Sequence, residues 1–202
     1  MNLNKLYRIP RKIRMYFYII SNRFMFWISN VHYGKNMQVF NKISLLKEAS
    51  ATISIGNNLI FTSGEAFNPL CRNIRGCIYA AEKAKIQIGD NVGISSACIW
   101  ANRSITIGNN VKIGGDCILI DTDAHSLNHI MRRNIITDTE DAQSRPISIE
   151  DDVLIGTRCI ILKGVVIGAR SIIGAGSVVT SSIPTDCIAA GNPCKVIRFL
   201  KD

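Results

Sequence analysis

The sequence predicts an all-β fold: a parallel β-helix with coils of about 18 residues, an N-terminal helical arm and one extended loop. Three observations lead there. The dipeptide Ile-Gly starts at Ile55, Ile88, Ile107, Ile113, Ile155, Ile167 and Ile173. From residue 149 the spacing is strictly six, with Ile149, Ile155, Ile161, Ile167, Ile173 and Val179 leading successive hexads. Four residues after these leads stand Val153, Cys159, Val165, Ser171, Ser177 and Ile183. A period of six fits neither an amphipathic helix nor an alternating strand. It fits a three-sided prism with one hexad per face, in which each lead aliphatic points inward and stacks on its equivalent in the next coil.

The chain divides into a basic arm, residues 1–47, and a β-helix domain, residues 48–202. The net charge of +9 belongs to the arm, which holds nine Lys or Arg and no acid, whereas the domain sums to zero. That placement excludes a uniformly basic nucleic-acid-binding domain. Within the arm, residues 11–30 read as a helix begun by Pro10. Ile13, Tyr16, Phe17, Ile20, Phe24, Trp27 and Ile28 share one broad face; Arg11, Arg14, Asn22 and Ser29 lie opposite, diluted by Met15, Ile19 and Phe26. Two roles are open to it: lying on an anionic membrane, or packing on the body as a cap or subunit joint. No run is apolar enough to span a bilayer, and no secretory signal pattern is present. A cytoplasmic protein, peripheral on the inner membrane face if the arm binds lipid, is the expectation.

Upstream coils follow the hexads less strictly. Ile88, Ile94 and Trp100 lead to Val92, Cys98 and Ser104; Ile107, Ile113 and Leu119 lead to Val111, Cys117 and Asp123. Gly after a lead aliphatic is expected to ease the bend there. Cys98, Cys117 and Cys159 fall on the small inward position, where a thiol is compact apolar filler. Seven cysteines without a CxxC pair argue against a disulfide framework or zinc ribbon. Cys194 beside Lys195 is a weak candidate nucleophile.

The hexads stop between Ala124 and Pro146, and His125 stands where the loop, residues 125–146, opens. An aperiodic insert in a rigid repeat is usually functional. A histidine near neutral pH can take a proton from an attacking hydroxyl, and a rigid backbone N–H can stabilise an oxyanion. The alternative for His125 is a solvated loop histidine; His129 reads as a loop residue. Asp121 and Asp123 are candidates to orient His125, and a metal site from these four residues is the minor alternative. Asp123, on an inward position, points to a hydrogen-bonded or subunit-contact role.

The pattern [Ile/Leu/Val]-Gly-x-x-[small]-x, with Ile173-Gly-Ala-Gly-Ser-Val-Val-Thr180 and Ala190-Gly-Asn-Pro-Cys-Lys-Val-Ile-Arg198, resembles the hexapeptide-repeat acyltransferases, specifically their galactoside, maltose and nodulation O-acetyltransferase branch. The likeness covers roughly residues 50–200. It implies a left-handed β-helix, a homotrimer with sites between chains, and acetyl transfer from acetyl-CoA to a hydroxyl of a sugar or surface polysaccharide. It implies no metal: the γ-type carbonic anhydrases share the helix but use three His ligands, and His32 here lies in the arm. By the resemblance His125 is the base, Thr157 supplies the amide facing the thioester oxygen, and Asn102 and Asp123 lie on the acceptor side. Thr157, Ala175, Thr180, Ser181, Lys195 and Arg198 match coenzyme-binding positions, the last two near phosphates. Leu154 stands where relatives often carry Trp. Residues 185–202 form a C-terminal cap. Transfer to an amino sugar, or a non-catalytic membrane-attached scaffold, are the competing readings.

Overall fold

The computed structural model describes residues 9–71 and 74–200. A helix, α1 (Ile9–Ile28), leads into six coils. The first holds β1 (His32–Tyr33), β2 (Gln38–Phe40) and β3 (Ser44–Lys47); the second β4 (Thr52–Ile55), β5 (Ile60–Thr62) and β6 (Cys77–Ala80). The third holds β7 (Lys85–Ile88), β8 (Gly93–Ser95) and β9 (Cys98–Ala101); the fourth β10 (Ser104–Ile107), β11 (Lys112–Ile113) and β12 (Ile118–Ile120). After the loop come β13 (Ile147–Ile149), β14 (Leu154–Ile155) and β15 (Ile160–Leu162), then β16 (Val166–Ile167), β17 (Ile172–Ile173) and β18 (Val178–Val179). A hairpin of β19 (Cys187–Gly191) and β20 (Cys194–Phe199) closes the far end. Each coil contributes one strand to each of three sheets; the strands from β1 to β18 pair in parallel, and β19 joins the second sheet beside β17.

Register stacks the inward residues in columns. Ile55, Ile88, Ile107, Ile149 and Ile167 form one; Phe61, Ile94, Ile113, Ile155 and Ile173 a second; Ile78, Ile99, Leu119, Ile161 and Val179 a third. These residues are all buried, so the core is a rod of aliphatics between the three sheets.

Three local expectations are corrected. The β-helix begins at His32, so residues 32–47 belong to the first coil and not to the arm. Met37, Val39 and Ile43 supply that coil's core without any Ile-Gly signal. In the third coil the inward residues are Ala97 and Ile99, while Cys98 is half-buried and Trp100 points outward. Ser96, in the left-handed region at φ 44°, turns that corner one residue early. Finally, the glycines after the leads do not supply the bend. The left-handed residue comes two positions later, at Asn58, Asn91, Asn110 and Arg170.

Those glycines serve close approach instead. A Cβ on Gly56 would lie 2.2 Å from Asp90 Oδ1, and one on Gly108 2.4 Å from Asp151 Oδ1. The vacated space lets each Asx side chain reach the preceding coil and accept a backbone N–H: Asn57 to Asp90 at 2.6 Å, Asp90 to Asn109 at 2.9 Å, Asn109 to Asp151 at 2.6 Å. Beside this column the left-handed residues bond in series, Asn36 to Asn58, Asn58 to Asn91, Asn91 to Asn110 and Asn110 to Asp152, at 2.9–3.1 Å. Asn tolerates the left-handed conformation, which explains the recurring Gly-Asx-Asn.

Helix α1 docks on the first coil through its mixed face, with Phe26 fully buried. Asn22 Nδ2 donates to the carbonyls of Val39 and Asn41 at 2.9 Å, and Arg23 donates to that of Met37. The first coil ends three sheets and leaves backbone acceptors without strand partners, so a face carrying Asn and Arg suits it better than a purely apolar one. Residues 1–8 of the arm, with Lys5 and Arg8, lie outside the described residues.

Candidate active site

His125 follows β12, just after Ala124, whose φ of 61° turns the chain out of the prism. The loop it opens is not structureless: a 3-10 turn (Met131–Arg133) leads into α2 (Ile135–Asp141), capped by Asn134, whose side chain accepts from the Ile136 N–H. Helix α2 carries Asp138 back under His125. Asp138 Oδ2 lies 2.7 Å from His125 Nδ1, and Oδ1 accepts the Ser126 N–H at 2.7 Å. The carboxylate is therefore the acceptor and Nδ1 carries the proton, so that in the neutral ring the lone pair is on Nε2. The imidazole side chain is 70% exposed. The hydrogen bond from His125, then that from Ser126, hold the Asp138 carboxyl below its usual range.

This corrects the expected partners. Asp121 is fully buried and accepts the N–H groups of Asn102 and Arg103 at 2.7 and 2.8 Å, so it builds the corner one coil below. Burial pushes its carboxyl up, against those bonds. Asp123 is partly buried and pairs with Lys163 Nζ at 2.8 Å. In the sequence Asp138 stands beside Glu140 and Asp141 with no motif to single it out; the Asn134 cap marks where its helix starts but not where the helix packs. Among the described residues no group of three or more His, Cys, Asp or Glu is placed to hold a metal.

Asn102 stands on the same corner as His125, one coil earlier, and its Oδ1 accepts the Trp100 indole N–H at 3.0 Å. Trp100 in turn packs against Tyr79, ring centroids 4.6 Å apart and planes tilted by 53°.

Thr157 lies elsewhere, at the corner after β14. It lines a groove of about 410 Å³ on the second face with Gly114, Gly115, Leu154, Gly156 and Lys112. Its N–H has no acceptor among the described residues. The reason is in the sequence: where the Asx column would place a side-chain oxygen from the next coil, this corner has Ala175, whose N lies 2.5 Å from a Cβ position on Gly156. The carbonyl of the same peptide bond, Gly156 O, faces inward and accepts the Cys117 thiol at 3.0 Å. The neighbouring Cys159 thiol and burial push the Cys117 thiol up, which keeps its proton in place. Cys194 is buried and its thiol is pushed up by that burial, which removes it as a nucleophile.

Ala175 thus sits directly over Thr157, and Lys195 and Arg198 are exposed on β20 of the same face. Thr180 and Ser181 lie one corner further, after β18. Within one chain, His125 and Thr157 are on different corners, separated by the third face.

The family described as hexapeptide repeat of succinyl-transferase matches residues 146–181. The galactoside O-acetyltransferase of Escherichia coli (strain K12) is 39% identical over 126 residues, which is 62% of this chain and 59% of that protein. A solved galactoside acetyltransferase in complex with coenzyme A shares 26% identity, with a TM-score of 0.58, over 96% of this chain and 81% of that one.

The chain is similar to the hexapeptide-repeat acyltransferases.

A hexapeptide-repeat acetyltransferase from Vibrio cholerae superposes with a TM-score of 0.57 at 27% identity, over 90% of this chain and 81% of that one. Like these, the hexapeptide-repeat prism described above is a left-handed β-helix. A 2,3,4,5-tetrahydropyridine-2,6-dicarboxylate N-acetyltransferase of Staphylococcus aureus (strain Newman) is 48% identical over 59 residues, covering 29% of this chain and 25% of that protein. The chain spans 59% and 56% of the length of the two galactoside O-acetyltransferases it matches.

Proposed function

We propose that this protein transfers an acetyl group from acetyl-CoA to a hydroxyl of a sugar or surface-polysaccharide unit, acting as a homotrimer. The observation that carries the reading is the His125–Asp138 pair, which fixes the tautomer that leaves Nε2 free to accept a proton. His125 takes the acceptor's proton as its oxygen attacks the thioester carbon; the C–S bond then breaks, and the leaving coenzyme sulfur takes that proton from His125. The unpartnered Thr157 N–H stabilises the oxygen that becomes negative. Asn102 and Asp123 border the acceptor side. Ala175, Thr180, Ser181, Lys195 and Arg198 border the coenzyme, the two cations matching its phosphates.

The separation of His125 from Thr157 supports the trimer, because a base and an oxyanion donor on different corners can meet only across two prisms. The loop supports it as well: Leu127, Ile135 and Ile136 are exposed apolar residues that a neighbouring prism would cover. The similarity to an N-acetyltransferase keeps amino-sugar acceptors in the screen, since the same base would serve an amine.

The test is turnover of acetyl-CoA with a panel of sugar acceptors by wild type and His125→Gln. Loss of about a thousandfold in kcat, with acetyl-CoA affinity retained, is expected. Retained turnover would remove His125 as the base. Absent acetyl-CoA binding by the folded wild type would remove the transferase reading and favour the scaffold.

A further inference from the structure

Among the described residues, the arm's outward face has no partner. Ile13, Phe17, Ile20, Phe24 and Trp27, spread along α1, are each about two-thirds exposed: 65, 63, 68, 60 and 67%. They are the broad apolar face, whereas the body is gripped by the opposite, mixed face through Asn22, Arg23 and Phe26. The capping role is therefore filled without them. An apolar strip of this length left in water is costly, and it asks for a cover.

Charge decides which cover. The arm proper, residues 1–31, holds six cations and no anion. A second copy docking by the same face would bring two cationic arms together with no acid in either to offset them. A bilayer of anionic lipid offers both complements at once, apolar depth for the aromatics and negative headgroups for the cations. The geometry beside the helix matches. A groove of about 450 Å³ beside α1 is lined by Met15, Tyr16, Ile19 and Ile20 together with the cations Lys12 and Arg23. Among the described residues no helix is long and apolar enough to cross a membrane, so contact is from one side.

We infer that α1 is a lipid-docking helix that holds the first-coil end of the prism against an anionic membrane surface. Two jobs are divided between its faces: Asn22, Arg23 and Phe26 cap the coil, and the Phe17–Phe24–Trp27 strip enters the headgroup layer. The acetyl-transfer site, at corners further along the prism, is left in water.

Flotation of the full chain tests this, with vesicles of phosphatidylglycerol and phosphatidylcholine against phosphatidylcholine alone. Wild type is expected to partition at least about tenfold more onto the anionic vesicles, and to release in high salt. The combined variant Phe17→Ser, Phe24→Ser, Trp27→Ser spares the capping residues and is expected to stay with the soluble fraction. Its unfolding temperature and acetyl-CoA binding should be unchanged. A second variant, Lys12→Gln, should weaken anionic partition alone. Wild type that ignores both vesicles overturns the inference, as does equal partition of the triple variant. A fall in sedimentation mass of the triple variant, without lipid, also overturns it and assigns the strip to a second copy.

Discussion

At the scale of single residues, the proposed chemistry rests on two groups whose roles are set by what lies behind them. Asp138 holds the His125 proton on Nδ1. Asp138→Asn presents an amide that can donate to Nδ1, which favours the wrong tautomer; kcat should fall about tenfold or more with little change in coenzyme affinity. The same carboxyl reports on stability. It is held below the usual range, so its contribution is fully present above about pH 4 and is lost as pH falls through its depressed folded value. Acid unfolding curves of wild type and Asp138→Asn should therefore converge towards the lowest pH. Cys117 is the second such residue. Its thiol anchors the carbonyl of the Gly156–Thr157 peptide, whose N–H faces the groove. Cys117→Ala should lower kcat about fivefold, the worth of one hydrogen bond of roughly 1 kcal/mol, while Cys117→Ser restores it. Equal kinetics of the Ala and Ser variants would show that the thiol only fills space.

At the scale of elements, two kinds of glycine are separable. Gly108 has an ordinary φ, but a Cβ would meet Asp151 Oδ1 at 2.4 Å and the backbone of Glu150 at 2.8 Å. Gly176 has open space but a φ of 74°. Gly108→Ala should cost about 2 kcal/mol or more, because it displaces a neighbouring coil, and Gly176→Ala about 1 kcal/mol of backbone strain. Thermal unfolding checks the order. This distinction also marks what could be read beforehand. Coils five and six were legible because Ile149 to Ile183 keep a strict period. The third coil was misread because Ser96 turns early, which shifts the inward position from Trp100 to Ile99 and leaves the indole free to bond Asn102. The first coil carries its core on Met37, Val39 and Ile43, with no glycine signature to reveal it. Asp138 lies in a short helix whose tertiary position no local pattern encodes.

At the scale of the whole molecule, the active unit needs more than one chain if the base and the amide come from different copies. Mixing two inactive forms tests this directly. His125→Gln subunits co-assembled with subunits carrying Lys195→Ala and Arg198→Ala should regain a fraction of wild-type turnover. Sites formed within one chain would regain none. Size measured by sedimentation should correspond to three copies. The aliphatic rod itself is open-ended by construction, since any coil can stack on any other. The far end is closed by the antiparallel β19–β20 hairpin, and the near end by α1, with Asn22 and Arg23 seated on the carbonyls of Met37, Val39 and Asn41. Removing α1 would therefore do more than release a membrane anchor. It would bare the strand edges of β1, β2 and β3 together, a ready template for another prism. A chain starting at Val31 is expected to pair near end to near end, because the hairpin keeps the far end shut, and sedimentation should show about twice the mass of the full-length assembly, so this one helix is also what keeps the assembly from doubling.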